Sequence, residues 1–224
     1  MLKKLLNHFR RVVSQKNLLK PEGEEGIQKL GHREYVGGMW EEIGKLQFDF
    51  LVQQGLKPSH CFLDIGCGSL RGGIYFIRYL DVGNYLGIDK EKTLIHLGIE
   101  KELGKDIYDK KKPEFVVSDK FEFEKFSKKP RFSLAQSLFT HLNSKDICVC
   151  LEKLRTFVEP GHIFFATFFE GDSSTNPETS HSHAYFRYSR KEMIAFGEHR
   201  GWKATYIGDW KHPRNQKMMK YEAV

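Results

Sequence analysis

Cys61-Phe62-Leu63-Asp64-Ile65-Gly66-Cys67-Gly68-Ser69-Leu70-Arg71-Gly72-Gly73 is the stretch on which the fold turns. Cys61–Ile65 reads as a short apolar strand and Leu70–Leu80 as a helix, with glycines at the turn between them. Glycine at a strand-to-helix turn lets a ligand approach the backbone, and the helix start presents unpaired amide donors. Outward from here the pattern alternates: strand Tyr85–Ile88, helix Glu91–Leu103, strand Phe115–Ser118, strand near Phe132–Leu138, helix Lys145–Val158 and strand His162–Phe169. Apolar strands separated by helix-length segments require a parallel sheet covered on both faces, so the fold class is α/β. A helix near Arg190–Arg200 and two strands, Trp202–Ile207 and Met218–Val224, complete a seven-stranded sheet whose last strand returns antiparallel. Upstream, a Pro21–Gly26 break precedes a single expected helix, Glu34–Gln54, and the turn Gly55–Ser59.

With 224 residues, the chain suits one three-layer domain. We divide it into a basic N-terminal segment and linker, residues 1–30, and a domain over residues 31–224. The formal charge of +7 lies almost wholly at the start: Lys3, Lys4, Arg10, Arg11, Lys16 and Lys20 occur without an acid, leaving 30 basic residues against 29 acidic ones. A nearly neutral body argues against a nucleic-acid partner. Leu2, Leu5, Leu6, Phe9, Val12 and Val13 fall at helical spacing among those charges, an amphipathic helix suited to packing on the domain or to peripheral contact with a membrane or protein. It also has a weak likeness to a mitochondrial presequence. Cys61, Cys67, Cys148 and Cys150 show neither a C-x-x-C pair nor zinc spacing, as expected of reduced thiols in a cytoplasmic protein.

Three strand ends carry an acid: Asp64 before the glycines, Asp89 after Leu86-Gly-Ile, and Asp119 after Val117-Ser. A dinucleotide loop has the spacing G-x-G-x-x-G, whereas here the third glycine comes one residue late. An acid beside the loop suits a ligand with a positive charge better than a pyrophosphate. The stretch Phe62-Leu-Asp-Ile-Gly-Cys-Gly68 resembles the first motif of class I S-adenosylmethionine (SAM)-dependent methyltransferases, and the likeness covers most of residues 31–224. It implies SAM as cofactor, held by Tyr35, Asp64, Gly66, Gly68, Asp89, Asp119, Lys120 and Gln136. Asp89 would accept the ribose hydroxyls and Asp119 the adenine amine, with Phe121 near the ring.

Ligands in such sheets sit beyond the carboxyl ends of the strands. There Gln136-Ser-Leu-Phe-Thr-His141-Leu resembles the S-x-F-T-H-L stretch of many small-molecule O-methyltransferases in that class. His141 is the candidate general base for a hydroxyl acceptor; a cap on the following helix, or a core hydrogen bond, are the other roles open to it. Glu170–Arg187 reads as a structureless lid bearing His181, His183 and Arg187 as acceptor-binding residues. His181-x-His183 with Asp172 is weak as a metal site, and no metal is assigned. Gly208–Lys217 contains Trp210, His212 and Arg214, resembling a W-x-H-P-R-x-Q stretch of bacterial methyltransferases acting on sugars or other small metabolites. Arg214 and His212 suit a phosphate or carboxylate, and Trp210 a ring. The expected activity is O-methylation of a small hydroxylated metabolite, a sugar or glycan precursor. An RNA or protein methyltransferase and a non-catalytic SAM-binding subunit are the alternatives.

Overall fold

The computed structural model describes residues 20–224. The amphipathic segment read from residues 1–20 falls, but for Lys20, outside the described residues. Helices α1 (Gly23–Leu30), α2 (His32–Tyr35) and α3 (Trp40–Gln53) lead into β1 (Phe62–Ile65), α4 (Gly73–Tyr79) and β2 (Tyr85–Asp89). Then come α5 (Lys92–Leu97), running into a π-helical turn Gly98–Leu103, α6 (Lys105–Lys111), β3 (Glu114–Val117) and β4 (Phe132–Ala135). The C-terminal part holds α7 (Ser144–Phe157), β5 (Ile163–Glu170), β6 (Arg187–Tyr188), α8 (Arg190–Glu198), β7 (Trp202–Asp209) and β8 (Lys217–Ala223).

The sheet runs β3-β2-β1-β4-β5-β8-β7, with the short β6 attached beside β5. β1 pairs in parallel with both β2 and β4, so the winding direction reverses at β1 and a crevice opens beyond those strand ends. The last strand, β8, inserts antiparallel between β5 and β7, as the expected return of the final strand requires. Alternation along β1 divides the core. Leu63 and Ile65 join a cluster with Ile147, Leu151 and Leu154 of α7, whose spacing places one apolar stripe on the sheet. Phe62 joins the opposite cluster with Leu51 of α3 and Phe76 of α4. Asp64 shares the face of Phe62, which brings it against Tyr85 of β2.

Three expectations are corrected. The helix expected over Glu34–Gln54 is broken, because Gly37 and Gly38 have φ of 96° and 60° and Met39 is left-handed at 47°, so α2 ends before α3 starts. The Pro21–Gly26 break contains the start of α1, whose Ile27 is buried with Tyr35 and Leu94, so residues 21–30 pack on the domain. Nor is Glu170–Arg187 structureless. It contains a turn, Ser173–Thr175, and feeds an eighth strand, β6, while Ala184 and Phe186 are fully buried. Burying Phe186 favours the docked segment by about 1.5–3 kcal/mol.

Candidate functional site

A cavity of about 660 Å³ opens beyond the carboxyl ends of the parallel strands. Its floor is the loop after β1. Gly66 and Gly68 have φ of 75° and 52°, a left-handed backbone that L side chains rarely adopt. A Cβ at Gly68 would stand 3.0 Å from Val36 Cγ1, so the loop is shaped for close approach. Asp89 fastens this loop: its Oδ2 accepts from the Gly68 amide at 2.8 Å and its Oδ1 from the Glu91 amide at 2.9 Å. Each carboxylate oxygen keeps a second lone pair for a ligand hydroxyl. Burial raises the Asp89 carboxyl above the usual carboxylate range, against the pull of those two amides.

Asp64 lies deeper on the same floor, its Oδ2 accepting from the Tyr85 hydroxyl at 2.9 Å. Burial pushes its pKa up to about 7 despite that hydrogen bond, and the neighbouring Asp89 adds to the rise. A floor of two buried carboxyls is suited to a ligand that brings positive charge.

His141 lines the same cavity. Its Nδ1 is 2.7 Å from the Ala184 carbonyl oxygen, which can only accept, so Nδ1 carries the proton and Nε2 the lone pair. Burial pushes its pKa down to about 4, and the ring is neutral at pH 7. The α7 helix is capped by Asn143, whose side chain accepts from the Asp146 amide, not by His141. The wall itself is stapled by the segment before β6: His181 N donates to the His141 carbonyl and Phe186 N to that of Thr140.

Over the cavity lies the N-terminal strap. Glu22 accepts from the Ser182 amide at 2.6 Å and pairs with Lys90 at 3.2 Å and His181 at 3.3 Å. Burial alone would raise its carboxyl, but the Ser182 and Lys90 contacts prevail and hold it at about 2. The Tyr35 hydroxyl accepts from Gly23 N at 3.0 Å, and the Tyr35 ring meets His183 edge-on. His183 Nε2 is 3.1 Å from the Pro21 carbonyl oxygen.

Of the residues singled out from sequence, Tyr35, Asp64, Gly66, Gly68, Asp89 and Asp119 line this cavity, and so do Gln136, His141, His181, His183 and Arg214. Four lie elsewhere. Trp210 is packed in the core, edge-on to Phe50 and stacked on His212, because β7 and β8 turn its indole inward against α3. His212 is buried beneath it, 3.2 Å from the Gln136 amide nitrogen, and its Nδ1 accepts from the Arg214 amide at 3.2 Å, so it meets the cavity through those two lining residues. Arg187 directs its guanidinium over Phe169, and Lys120 is exposed outside the cavity.

Sequence reading passed over Arg71, Ser137 and Glu22. A charge inside a glycine-rich turn was the available signal for Arg71. Ser137 is left-handed at φ 60° two residues beyond the end of β4, its amide donating to Thr167 Oγ1 at 2.7 Å, and its sequence carries no mark of that strain. Among the described residues no group of three or more His, Cys, Asp or Glu is gathered as metal ligands, and no helix is long and apolar enough to cross a membrane.

No protein-family model matches the chain. Solved structures do. Magnesium protoporphyrin IX methyltransferase (ChlM) from Synechocystis PCC 6803, with bound SAH, superposes with a TM-score of 0.63 at 11% identity, covering 96% of this chain and 99% of that one. The CcbJ methyltransferase from Streptomyces caelestis gives 0.64 at 12% identity, over 84% and 92%. A SAM-dependent methyltransferase from Clostridium acetobutylicum gives 0.60 at 8% identity, over 88% and 96%. The fold is that of the class I SAM-dependent methyltransferases. At these identities the likeness is one of architecture, with the glycine loop after β1 and the antiparallel β8 as its landmarks here.

Proposed function

We propose that this chain is a SAM-dependent methyltransferase that methylates a hydroxyl oxygen of a small metabolite, a sugar or glycan precursor, with His141 as general base. The observation that carries the reading is the presence of an acid-floored glycine loop and a neutral imidazole in the lining of one cavity. Neighbours of the same fold include a glycopeptide N-methyltransferase, MtfA, solved with SAM, and ChlM solved with SAM and with SAH, which supports SAM as the cofactor.

The residues present fit SAM. Gly66 and Gly68 leave the backbone bare, Asp89 keeps lone pairs for ribose hydroxyls, and Asp119 at the cavity edge would accept from the adenine amine. Asp64 would face the methionyl ammonium and ionise beside it. When bound, SAM supplies the methyl group, which leaves its sulfonium with the C–S electron pair remaining on sulfur. The chain's own work is to hold the acceptor hydroxyl in line with that methyl and to take its proton. His141 Nε2 receives the proton as the oxygen loses it, and the Ala184 carbonyl steadies the imidazolium through Nδ1–H. Because burial keeps the ring neutral down to about pH 4, the lone pair is available throughout the neutral range.

The test is methyl transfer from radiolabelled SAM to a panel of hydroxylated sugars and glycan precursors, run with wild type and His141→Ala. Turnover in the variant should fall about 10²- to 10⁴-fold, the contribution of a general base, with SAM affinity nearly unchanged. SAM binding with no turnover on any hydroxyl, or turnover indifferent to His141→Ala, rejects the base assignment. Binding by wild type but not by Asp89→Ala supports the cofactor site independently.

A further inference from the structure

Arg71 is 7% exposed, borders the cavity, and pairs with no carboxylate among the described residues. Its Nη1 donates to the carbonyls of Val36 at 3.1 Å and Gly38 at 2.9 Å, and its Nη2 to Gln136 Oε1 at 2.7 Å. A guanidinium has five N–H donors, and these three acceptors are all neutral. Arg214, on the β7–β8 loop, reaches the same strap by donating from Nη2 to the Gly37 carbonyl, and it also lines the cavity. Arg214 is close enough to act on Arg71: burial first, and Arg214 second, lower the Arg71 pKa to about 10. His212 is lowered to about 4 by burial and by the same two arginines. The opposing charge that acts on Arg71 is Asp64, whose carboxylate also accepts from the Tyr85 hydroxyl.

A buried cation held only by neutral acceptors, with a like charge beside it, is unfavourable unless an anion completes the group. We propose that Arg71 and Arg214 form an anion subsite that takes a carboxylate or phosphate group of a bound ligand. The planar fork of each guanidinium matches either oxyanion bidentately, and both side chains line the same cavity while tied to the strap residues Val36–Gly38. Two sources have this chemistry: the methionyl carboxylate of the methyl donor, and an acidic group on the acceptor. The subsite rests on the reading above only in the choice of nucleoside probe.

The experiment is calorimetric titration of wild type, Arg71→Met and Arg214→Met with SAH, with decarboxylated SAH, and with inorganic phosphate both alone and in the presence of saturating decarboxylated SAH. Thermal melts confirm that each variant is folded, and Arg214→Met, at an exposed residue, serves if Arg71→Met does not fold. A donor-derived anion appears as an SAH affinity that drops about 10- to 100-fold in the variants while decarboxylated SAH binds all three proteins alike. An acceptor-derived anion appears as saturable phosphate binding in wild type that the variants lose. If decarboxylated SAH binds but neither arginine affects SAH or phosphate, the subsite is rejected and the methyltransferase reading stands. If no nucleoside binds yet phosphate binding depends on the arginines, the subsite stands and that reading fails.

Discussion

Replacing Tyr85 with Phe isolates one hydrogen bond on the cavity floor and should change how many protons leave when the nucleoside binds. The hydroxyl donates to Asp64 Oδ2 at 2.9 Å, both groups are buried, and this bond restrains a carboxyl that burial has already moved to about 7. A hydrogen bond to a charged acceptor contributes about 1.5–3 kcal/mol, and each pKa unit corresponds to about 1.4 kcal/mol, so its loss should raise Asp64 by a further ~1–2 units. At pH 7 wild-type Asp64 is about half protonated, so a ligand ammonium that fixes it as carboxylate releases about 0.5 proton per site. In Tyr85→Phe the carboxyl starts nearly fully protonated, the release rises to about 0.9 or more, and SAH affinity weakens by about 5- to 50-fold. Titration in two buffers of different ionisation enthalpy reads the proton count directly. An identical count and affinity in the two proteins would refute the placement of a ligand cation against Asp64.

Other consequences can be measured on the same protein. Gly68→Ala must accommodate φ of 52° and a Cβ 3.0 Å from Val36 Cγ1, so we expect a loss of about 1–2 kcal/mol in stability and at least tenfold in SAH affinity; unchanged values on both counts would contradict a backbone-contact loop. Glu22→Gln removes the charge that pairs Lys90 at 3.2 Å, and, because the pair is partly exposed, only about 0.5–1 kcal/mol of strap closure is expected, seen as about two- to fivefold faster exchange of the Ser182 amide. His162, its Nδ1 bonded to the Pro130 carbonyl and its Nε2 at 2.9 Å from Ser133 Oγ, is lowered by burial to about 4. Since the unfolded chain binds that proton first, its contribution to stability is whole above about pH 6.5 and declines by about 1.4 kcal/mol per unit as pH falls toward 4. Urea unfolding at pH 7, 6 and 5 should show a shallower acid loss in His162→Gln than in wild type; equal slopes would count against the buried neutral ring.

Much of the sheet was legible because its strands are locally encoded. Phe62–Ile65, Tyr85–Asp89 and Ile163–Glu170 are predominantly apolar runs, and a run buried on both faces along most of its length needs no knowledge of its partners to be recognised. Elements with weak local signals escaped. Lys105–Lys111 has no buried residue and so no apolar stripe to betray a helix. β6 is two residues long and exists because it can pair with Phe169 and Glu170. The broken helix before Trp40 turned on Gly37–Met39 adopting positive φ, which composition permits but does not demand.

For the site, residue type and spacing along the chain determined which acids and glycines end the strands, since a strand-end position follows from the hydrophobic pattern of a few neighbours. Trp210 and Arg214 show where that logic stops. Both sit on one short loop with polar neighbours, yet β7–β8 pairing turns the indole into the core against Phe50 and leaves the guanidinium on the cavity wall. Which tautomer His141 adopts depends on a carbonyl 43 residues away, and Arg71 has neutral acceptors in place of an acid partner because Val36 and Gly38 of the strap and Gln136 after β4 converge on it from two distant segments. Burial, charge pairing and proton position are properties of distant groups brought within a few ångströms, and those distances exist only once the chain has folded.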